Sequence, residues 1–187
     1  MTRGCARHMG NVILGLLLIG PATLYAINKQ FEQGISLFYS ASLGSLRTAL
    51  LSLEKRGFIA GVDSVENGRN KRNFSITDDG RNAFFEWMYS PIMKGDIETI
   101  ALSKLYFVGW LPDAPARHIV LSDIEQRVAA DEAQLIQLGE QLDGKADGVP
   151  ENYREVFKYQ RLTLEYGIGA HRFGREFFAR VAASDSP

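Results

Sequence analysis

Apolar residues in the first half of the chain recur at spacings of three and four, a pattern that predicts three helices. Gly20-Pro21 separates the first helix from the second, and Gly34 is a suitable residue to end the second. Residues 35–39 are predicted to form a short extended connector. The predicted helices cover residues 12–19, residues 22 or 23 to 33, and the segment from Ser40 or Ser42 to Gly57.

A two-stranded β-hairpin is predicted after the third helix. Its first strand begins in residues 58–62, and alternating apolar residues at Phe74 and Ile76 mark the returning strand. Asn67-Gly68 between them is a strong signal for a hairpin turn. Thr77 is then the predicted N-cap of a fourth helix.

The third helix has a polar but nearly uncharged surface beside its leucines. A solvated helix surface usually carries more Glu and Lys, whereas short hydroxyl groups beside one Arg suit a DNA groove. An ordinary polar helix surface is the alternative interpretation. The leucines are Leu43, Leu46, Leu50 and Leu53, and the polar residues between them are Ser45, Arg47, Thr48 and Ser52.

The predicted hairpin tip carries three positive charges within four residues, at Arg69, Lys71 and Arg72, with Asn70 among them. Such a tip suits contacts to phosphates, because each contact releases counterions from the nucleic acid. A solvated loop is the alternative. Three helices and a hairpin, with the polar helix placed before the basic tip, predict a winged helix-turn-helix domain over residues 10–90.

The second half of the chain is predicted to form a helical, coiled-coil-like dimerisation domain over residues 96–183. Its first helix covers residues 97–111, and Pro112 ends that helix. A heptad pattern follows, for which an amphipathic helix packed inside its own chain is the alternative interpretation. The heptad residues are Leu121, Ile124, Val128, Asp131, Leu135, Leu138 and Leu142.

The last helix, predicted from about Glu151 to Val181, is apolar over a broad surface. A domain of three helices offers few partners for this much apolar surface, so a second subunit is its simplest partner. The apolar residues at helical spacing are Val156, Tyr159, Tyr166, Ala170, Phe173 and Phe177. The predicted dimer contacts are Leu121, Ile124, Val128, Leu135, Leu138, Tyr166, Phe173 and Phe177.

The chain has 187 residues, of which 45% are hydrophobic and 23% charged, as in an ordinary globular protein. Its single cysteine, Cys5, excludes an intrachain disulfide and favours a reducing compartment. The residues around it, 1–8, are expected to be irregular. The apolar run of residues 12–19 is too short to span a bilayer, so we expect a cytoplasmic protein.

The net charge of -1 conceals an asymmetry between the two halves of the chain. Residues 1–90 carry 10 Lys and Arg against 7 Asp and Glu, whereas residues 91–187 carry 11 against 15. A basic first half and an acidic second half suit a polyanion-binding domain joined to a domain with another role.

Three segments of the first half carry a recognisable set of motifs: ILGLLLIGPATLY at residues 13–25, SLGSLRTALLSLEKRGFI at 42–59 and GRNKRNFSITDDGR at 68–81. In this order they resemble the PadR family of bacterial transcriptional regulators, including its basic turn and its Thr-x-x-Gly entry to the fourth helix. Residues 96–183 resemble the longer C-terminal helical domain of the PadR subgroup that includes virulence-gene activators.

The resemblance implies a regulator that binds double-stranded DNA as a homodimer, in most family members as a repressor. A dimer of winged helices reads two half-sites about one helical turn apart, so we expect a pseudo-palindromic operator. Arg47 stands where the family often has tyrosine, so the operator sequence cannot be carried over. The predicted DNA contacts are Tyr25, Ser42, Ser45, Arg47, Thr48, Arg69, Asn70, Lys71 and Arg72.

The resemblance also implies a small aromatic effector, as in some family members. A set of aromatic residues either lines a pocket for it or belongs to the helical core. These residues are Trp87, Tyr106, Phe107, Trp110, Tyr153 and Tyr159.

Two other classes of protein were weighed against a DNA-binding regulator. An enzyme is not expected, because the chain has no Gly-rich phosphate loop and no Ser-His-Asp or Cys-His order. We expect no cofactor, and the three widely separated histidines predict no metal site. A winged helix that binds only protein partners is the alternative function.

Overall fold

The structure is a computed structural model, and it describes residues 3–66, 69–93 and 97–184. Helices and three short strands make up most of these residues. The helices are α1 (Arg3–Leu17), α2 (Leu24–Gln33), α3 (Leu43–Lys55), α4 (Asp78–Tyr89), α5 (Ile97–Phe107), α6 (Ala114–Asp143) and α7 (Arg154–Ser184). The strands are β1 (Ala22–Thr23), β2 (Ile59–Glu66) and β3 (Arg69–Ile76).

Side-chain caps start the helices that frame the hairpin. Thr23, Ser42 and Thr77 each accept a hydrogen bond from the amide three residues later, at N···O distances of 3.1–3.2 Å. Each bond satisfies one of the amides that a helix leaves unpaired at its start. The predicted starts of the second and fourth helices are therefore confirmed, and Ser42 is the cap of the third.

The strands form an antiparallel sheet in the order β1-β3-β2. Phe74, in the central strand, pairs with Ala22 on one side and with Gly61 on the other. The hairpin of β2 and β3 was predicted, but β1 was not. With two residues, β1 is too short to show the alternating pattern that identifies a strand.

α1 forms the core of the N-terminal part, where it contacts α2, α3, α4 and α5. Its residues Val12, Ile13, Leu14, Leu16 and Leu17 are all buried. A β-carbon at Gly15 would lie 2.8 Å from both the Phe84 and the Phe107 rings. A helix surrounded in this way needs apolar residues on every side, which explains the unbroken apolar run in the sequence.

Two predictions about the N-terminal part were wrong. α1 begins at Arg3 rather than at residue 12, and His8 is buried with its Nε2 2.9 Å from Ser103 Oγ. Residues 3–8 are therefore helical, and Ser103 of α5 contacts this segment at His8. The predicted extended connector is a 3₁₀ turn at Ile35–Leu37.

The chain divides into two compact units. The first contains the described residues up to Ser90 and residues 97–108, and the second contains residues 91–93 and 109–184. α5 therefore lies in the first unit, whereas the predicted domains placed residues 97–111 in the second. The helix also ends earlier than predicted, at Phe107, and a 3₁₀ turn at Val108–Trp110 follows it.

The second unit is built on the antiparallel pair of α6 and α7. Gly174 faces Val128 and Gly167 faces Leu135, since added β-carbons would lie 3.4 and 3.6 Å from those side chains. Near the connecting loop, Arg161 Nε donates to Asp143 Oδ1 at 2.5 Å. Two further 3₁₀ turns, Ala146–Gly148 and Glu151–Tyr153, lie in that loop, so the last helix begins three residues later than predicted.

Candidate nucleic-acid interface

α3 buries three leucines on one side, and its solvent-exposed side carries polar residues together with Leu43 and Leu51, which are 52% and 55% exposed. Leu46, Leu50 and Leu53 are at most 3% exposed, which anchors the helix in the first unit. Arg47 and Thr48 are exposed on the other side. The helix therefore presents the predicted surface of one Arg and short hydroxyl groups to solvent.

Ser42 and Ser45 are engaged with each other in a capping box. The Ser42 amide donates to Ser45 Oγ at 2.9 Å, and the Ser45 amide donates to Ser42 Oγ at 3.2 Å. The Ser45 hydroxyl also donates to the Ser42 carbonyl oxygen. Both residues thus have a structural role at the start of α3, where the sequence predicted Ser40 or Ser42 and did not predict Ser45.

Thr48 and Arg47 are the polar side chains of α3 best placed to contact DNA, because they lie on the solvent-exposed side of the helix. The Thr48 hydroxyl donates to the Gly44 carbonyl oxygen at 2.9 Å, so its oxygen remains able to accept a further hydrogen bond. Tyr25, near the start of α2, is 77% exposed and is therefore not packed half-buried against α3.

Only part of the predicted hairpin tip can be placed. The turn Asn67-Gly68 lies outside the described residues. Arg69 and Asn70 begin β3 and pair in register with Glu66 and Val65 of β2. The strands thus extend to the predicted tip on both sides.

Lys71 and Arg72 point to opposite faces of the hairpin, because side chains alternate along a strand. Arg72 shares its face with Phe74, which is 5% exposed and belongs to the core. Lys71 is exposed on the other face. Arg72 is therefore directed towards α3, although the sequence analysis placed it among the contacts to DNA.

Arg72 is engaged with two carboxylates. Its Nη1 donates to both Asp63 oxygens at 2.8 and 2.9 Å, and its Nη2 donates to Glu54 Oε1 at 2.7 Å. Glu54 lies in the last turn of α3 and also accepts from the Gly61 amide at 3.1 Å. The hydrogen bonds that Arg72 donates to Glu54 and then to Asp63 raise the pKa of Arg72 above its ordinary value. The guanidinium thus joins α3 to the hairpin.

The alternation of apolar residues in β3 is a sequence signal for this orientation of Arg72. The alternation of Phe74 and Ile76 identified the core face of β3, and extending it by one step places Arg72 on that same face. Glu54, by contrast, is 18 positions away in the sequence, so no local pattern predicts that it is the partner.

The predicted dimer contacts differ strongly in exposure within the second unit. Leu121, Ile124 and Val128 are at most 5% exposed, so the single chain already covers them. Leu138, Tyr166 and Phe173 are 45%, 80% and 69% exposed. Leu135 and Phe177 are half-buried. The heptad pattern of α6 is thus largely used for packing inside the chain, which was its alternative interpretation.

Three of the predicted effector-binding aromatics, all in the first unit, belong to one connected set of rings. Tyr106 lies 5.0 Å from Phe107 between ring centroids, and the buried Phe84 lies 5.7 Å from both Phe107 and Trp87. In the second unit Tyr153 and Tyr159 are both exposed. Phe107 therefore belongs to the core, and the effector site stays a prediction.

The arrangement of α2, α3 and the hairpin matches a known family. Residues 13–86 match the family described as Transcriptional regulator PadR-like family. The match makes this segment similar to the PadR-like transcriptional regulators. The matched segment contains the whole of α3 and both strands of the hairpin, so the similarity covers the candidate interface.

Solved structures of PadR proteins are similar to this chain over nearly its whole length. A Bacillus subtilis PadR in complex with operator DNA is 21% identical, with 95% of this chain and 98% of that chain covered and a TM-score of 0.44. A PadR-like transcriptional regulator from Bacillus cereus is 24% identical, with coverages of 95% and 97% and a TM-score of 0.40. The Bacillus subtilis PadR in complex with p-coumaric acid is 21% identical, with both coverages at 96% and a TM-score of 0.40.

Three further observations concern other classes of protein. No curated protein matches the chain. Among the residues that the structure describes, no group of three or more His, Cys, Asp or Glu side chains is arranged to hold a metal ion. Within the same residues, no helix has the length and apolar character needed to cross a membrane.

Proposed function

We propose that the protein is a sequence-specific DNA-binding transcriptional repressor, which acts as a homodimer on a pseudo-palindromic operator. The observation that carries the proposal is the exposed side of α3, where Arg47 and Thr48 lie free of the core. An Arg at such a position reaches guanine O6 and N7 in the major groove, and a Thr contacts base edges or the thymine methyl group.

The hairpin supplies the second part of the proposed interface. Lys71, on the face of β3 that points away from the core, contacts a phosphate beside the major groove, together with Arg69 and Asn70. Tyr25, exposed at the start of α2, contacts the phosphate backbone through its hydroxyl group. These contacts fix the position of α3 on the duplex, while α3 itself reads the sequence.

Dimerisation is assigned to the exposed side of α7. Tyr159, Tyr166 and Phe173 are 62%, 80% and 69% exposed and are spaced seven residues apart, which places them along one line of the helix. A line of large aromatic side chains in solvent is typical of a surface that a second subunit covers. Phe177, four residues after Phe173, extends the same line.

The proposed repressor responds to a small aromatic effector. A panel of phenolic acids, added to the protein and its operator, is expected to release DNA. A panel that leaves both DNA binding and thermal unfolding unchanged would remove the effector from the proposal and leave the DNA-binding function in place.

Fluorescence anisotropy tests the DNA-binding function directly. The purified protein is titrated on DNA from upstream of its own reading frame and on scrambled DNA, at several salt concentrations. We expect at least about a thousandfold preference for the specific DNA and a steep loss of affinity with salt. Equal, weak binding to both sequences would contradict specific recognition of that DNA.

Paired variants of α3 separate base reading from general charge. Arg47→Ala is expected to weaken specific binding by about 1–3 kcal/mol and to leave nonspecific binding much less affected. Lys55→Ala removes the same charge from the last turn of α3, where the side chain is exposed but belongs to the end of the helix. Equal losses in both variants would mean that Arg47 reads no base.

The alternative function, a winged helix that binds only protein partners, makes a different prediction for the hairpin. Replacing Arg69 and Lys71 together by Ala is expected to abolish DNA binding if the hairpin holds phosphates. If DNA binding of the unaltered chain is absent and partner binding survives the same replacement, the protein-interaction function is the correct one.

A further inference from the structure

We propose that Arg72 is a positioning residue of the hairpin and does not contact DNA, an inference that rests on the DNA-binding function proposed above. Together with Glu54, Gly61 and Asp63 it forms a cluster that we call the wing clamp. The clamp holds the hairpin at a set angle to α3, so that Lys71 and the exposed side of α3 face the same duplex.

The geometry of Arg72 supports a positioning role. Three of its hydrogen bonds, at 2.7–2.9 Å, go to carboxylates on two different elements, Glu54 of α3 and Asp63 of β2. Its guanidinium carbon also lies 5.9 Å from the centre of the Phe74 ring. A guanidinium that turned to a phosphate would leave both carboxylates next to DNA without their positive partner, which would repel the duplex.

Glu54 has a second bond that a simple ion pair would not need. Its Oε1 accepts from the Gly61 amide at 3.1 Å in addition to Arg72 Nη2, so α3 is tied to the backbone of β2 as well as to a side chain of β3. One carboxylate oxygen therefore connects three elements of the interface. The Glu54 side chain is only 25% exposed, which limits its exchange with solvent.

Gly61 provides the space for the clamp. A β-carbon at this position would lie 2.5 Å from both Arg72 Nε and Glu54 Oε1, so these two groups would have to move aside. Gly61 is in extended backbone within β2, where glycine weakens a strand and no left-handed conformation calls for it. Glycine at this position thus leaves the space in which the two charged groups meet.

The neutral variant Glu54→Gln distinguishes positioning from phosphate contact most sharply. If Arg72 bound phosphate, removing a negative charge near the duplex would strengthen DNA binding and free the guanidinium. If the clamp positions the hairpin, the same variant weakens DNA binding, by about fivefold for the loss of one exposed pair. Stronger or unchanged binding of Glu54→Gln would overturn the proposal.

The salt dependence of DNA binding gives a second distinction. Arg72→Gln is expected to weaken binding without changing the slope of log K against log salt, because no phosphate contact is lost. Lys71→Gln, the neighbouring residue on the opposite face, is expected to lower the slope by about 0.9. Arg72→Lys is expected to weaken binding like Arg72→Gln, because an ammonium group cannot bridge both carboxylates with the guanidinium geometry. An equal reduction in slope for Arg72→Gln and Lys71→Gln would overturn the proposal.

Gly61→Ala tests the clamp without changing any charge. Its methyl group is expected to separate Glu54 from Arg72 and to weaken DNA binding to the same extent as Arg72→Gln. Val62→Ala, at a 62% exposed position of the same strand, is the uncharged control. Hydrogen exchange of the hairpin amides in the free proteins is expected to rise in Gly61→Ala, Glu54→Gln and Arg72→Gln alike. Unchanged exchange in these variants would refute the clamp even if the chain bound no DNA, whereas raised exchange in a chain that binds no DNA would refute only the proposed function.

Discussion

The two compact units cover their large apolar residues to very different extents. In the first unit α1 has four helical neighbours, and Phe84 and Met88 of α4 are fully buried. In the second unit α7 has α6 as its main neighbour, and Tyr166 and Phe173 are left mostly in solvent. A helix with apolar residues on more sides than it has neighbours needs a partner from outside its unit.

The difference teaches that the same kind of sequence pattern serves two purposes. The leucines of α3 and the heptad residues of α6 both repeat at spacings of three and four. In both helices most of the repeat packs inside the chain, although Leu43 of α3 and Leu138 of α6 are 52% and 45% exposed. α7 is different, because its Tyr159-Tyr166-Phe173 line is additional to the residues that face α6. A dimer contact is therefore indicated by apolar residues beyond those that the neighbouring helix covers, and not by an apolar repeat alone.

The largest effect on stability is expected from a substitution in the core of the first unit. Phe84→Ala removes a ring that is fully buried against Phe107 and is expected to reduce the free energy of unfolding by about 3–5 kcal/mol. Urea unfolding measures this loss. Tyr89→Ala removes an aromatic ring of the same helix that is 47% exposed, and is expected to cost far less. Similar losses of stability in both variants would mean that Phe84 is not buried in the core of the first unit.

The next largest effect concerns association of the chain. Replacing Tyr166 and Phe173 by Ser is expected to weaken the dimer by about 2 kcal/mol or more, because central aromatic residues dominate interfaces. Sedimentation equilibrium measures the change in dissociation constant. Gln160→Ala alters an exposed residue of α7 away from that line and is the control. If the dimer persists after the double replacement, the two chains must contact each other through another surface.

A smaller effect on stability is expected at the ion pairs between α6 and α7. Glu132 is 6% exposed and accepts from Arg172 Nε at 3.2 Å and from Arg175 Nε at 2.7 Å. Glu132→Gln is expected to lower the free energy of unfolding by about 1–3 kcal/mol, since hydrogen bonds to a charged partner are lost. Thermal unfolding should show the loss in this variant and not in Glu140→Gln, whose side chain is exposed.

The smallest effect is a pH dependence at the end of the helix pair. The hydrogen bond from Arg161 lowers the pKa of Asp143 below its ordinary value. A carboxyl with a lowered folded-state pKa stabilises the fold above its unfolded pKa, and the contribution disappears as the pH falls through the folded value. Asp143→Asn should therefore be slightly less stable than the parent at pH 7 and equal to it in strong acid. A constant difference at all pH values would assign the effect to something other than the ion pair.

The sequence predicted the helices and their caps well, because these depend on local chemistry. Thr77 was identified as a cap from its position before an apolar repeat, the second helix was predicted to start near residue 22 or 23, and the hairpin followed from the alternation in β3. The two-residue strand β1 and the α5 residues that cover His8 were missed, since both depend on contacts between distant parts of the chain.

The candidate interface was predicted less completely than the fold. Arg47 and Thr48 lie on the open side of α3 as expected, because helical spacing alone determines their side. Arg72 was grouped with Lys71 as one basic tip, although adjacent residues of a strand face opposite ways. Its partners Glu54 and Asp63 could not be read from local pattern, because they lie 18 and 9 positions away.

The stoichiometry of the protein on a DNA duplex tests the account most directly, because it requires both units to act as assigned. Sedimentation velocity with a duplex from upstream of the protein's own reading frame measures it. We expect two chains on each duplex, and one chain or none after Tyr166 and Phe173 are replaced by Ser. A single chain bound tightly and specifically to the duplex would contradict the proposal that the exposed line of α7 joins two winged helices on one operator.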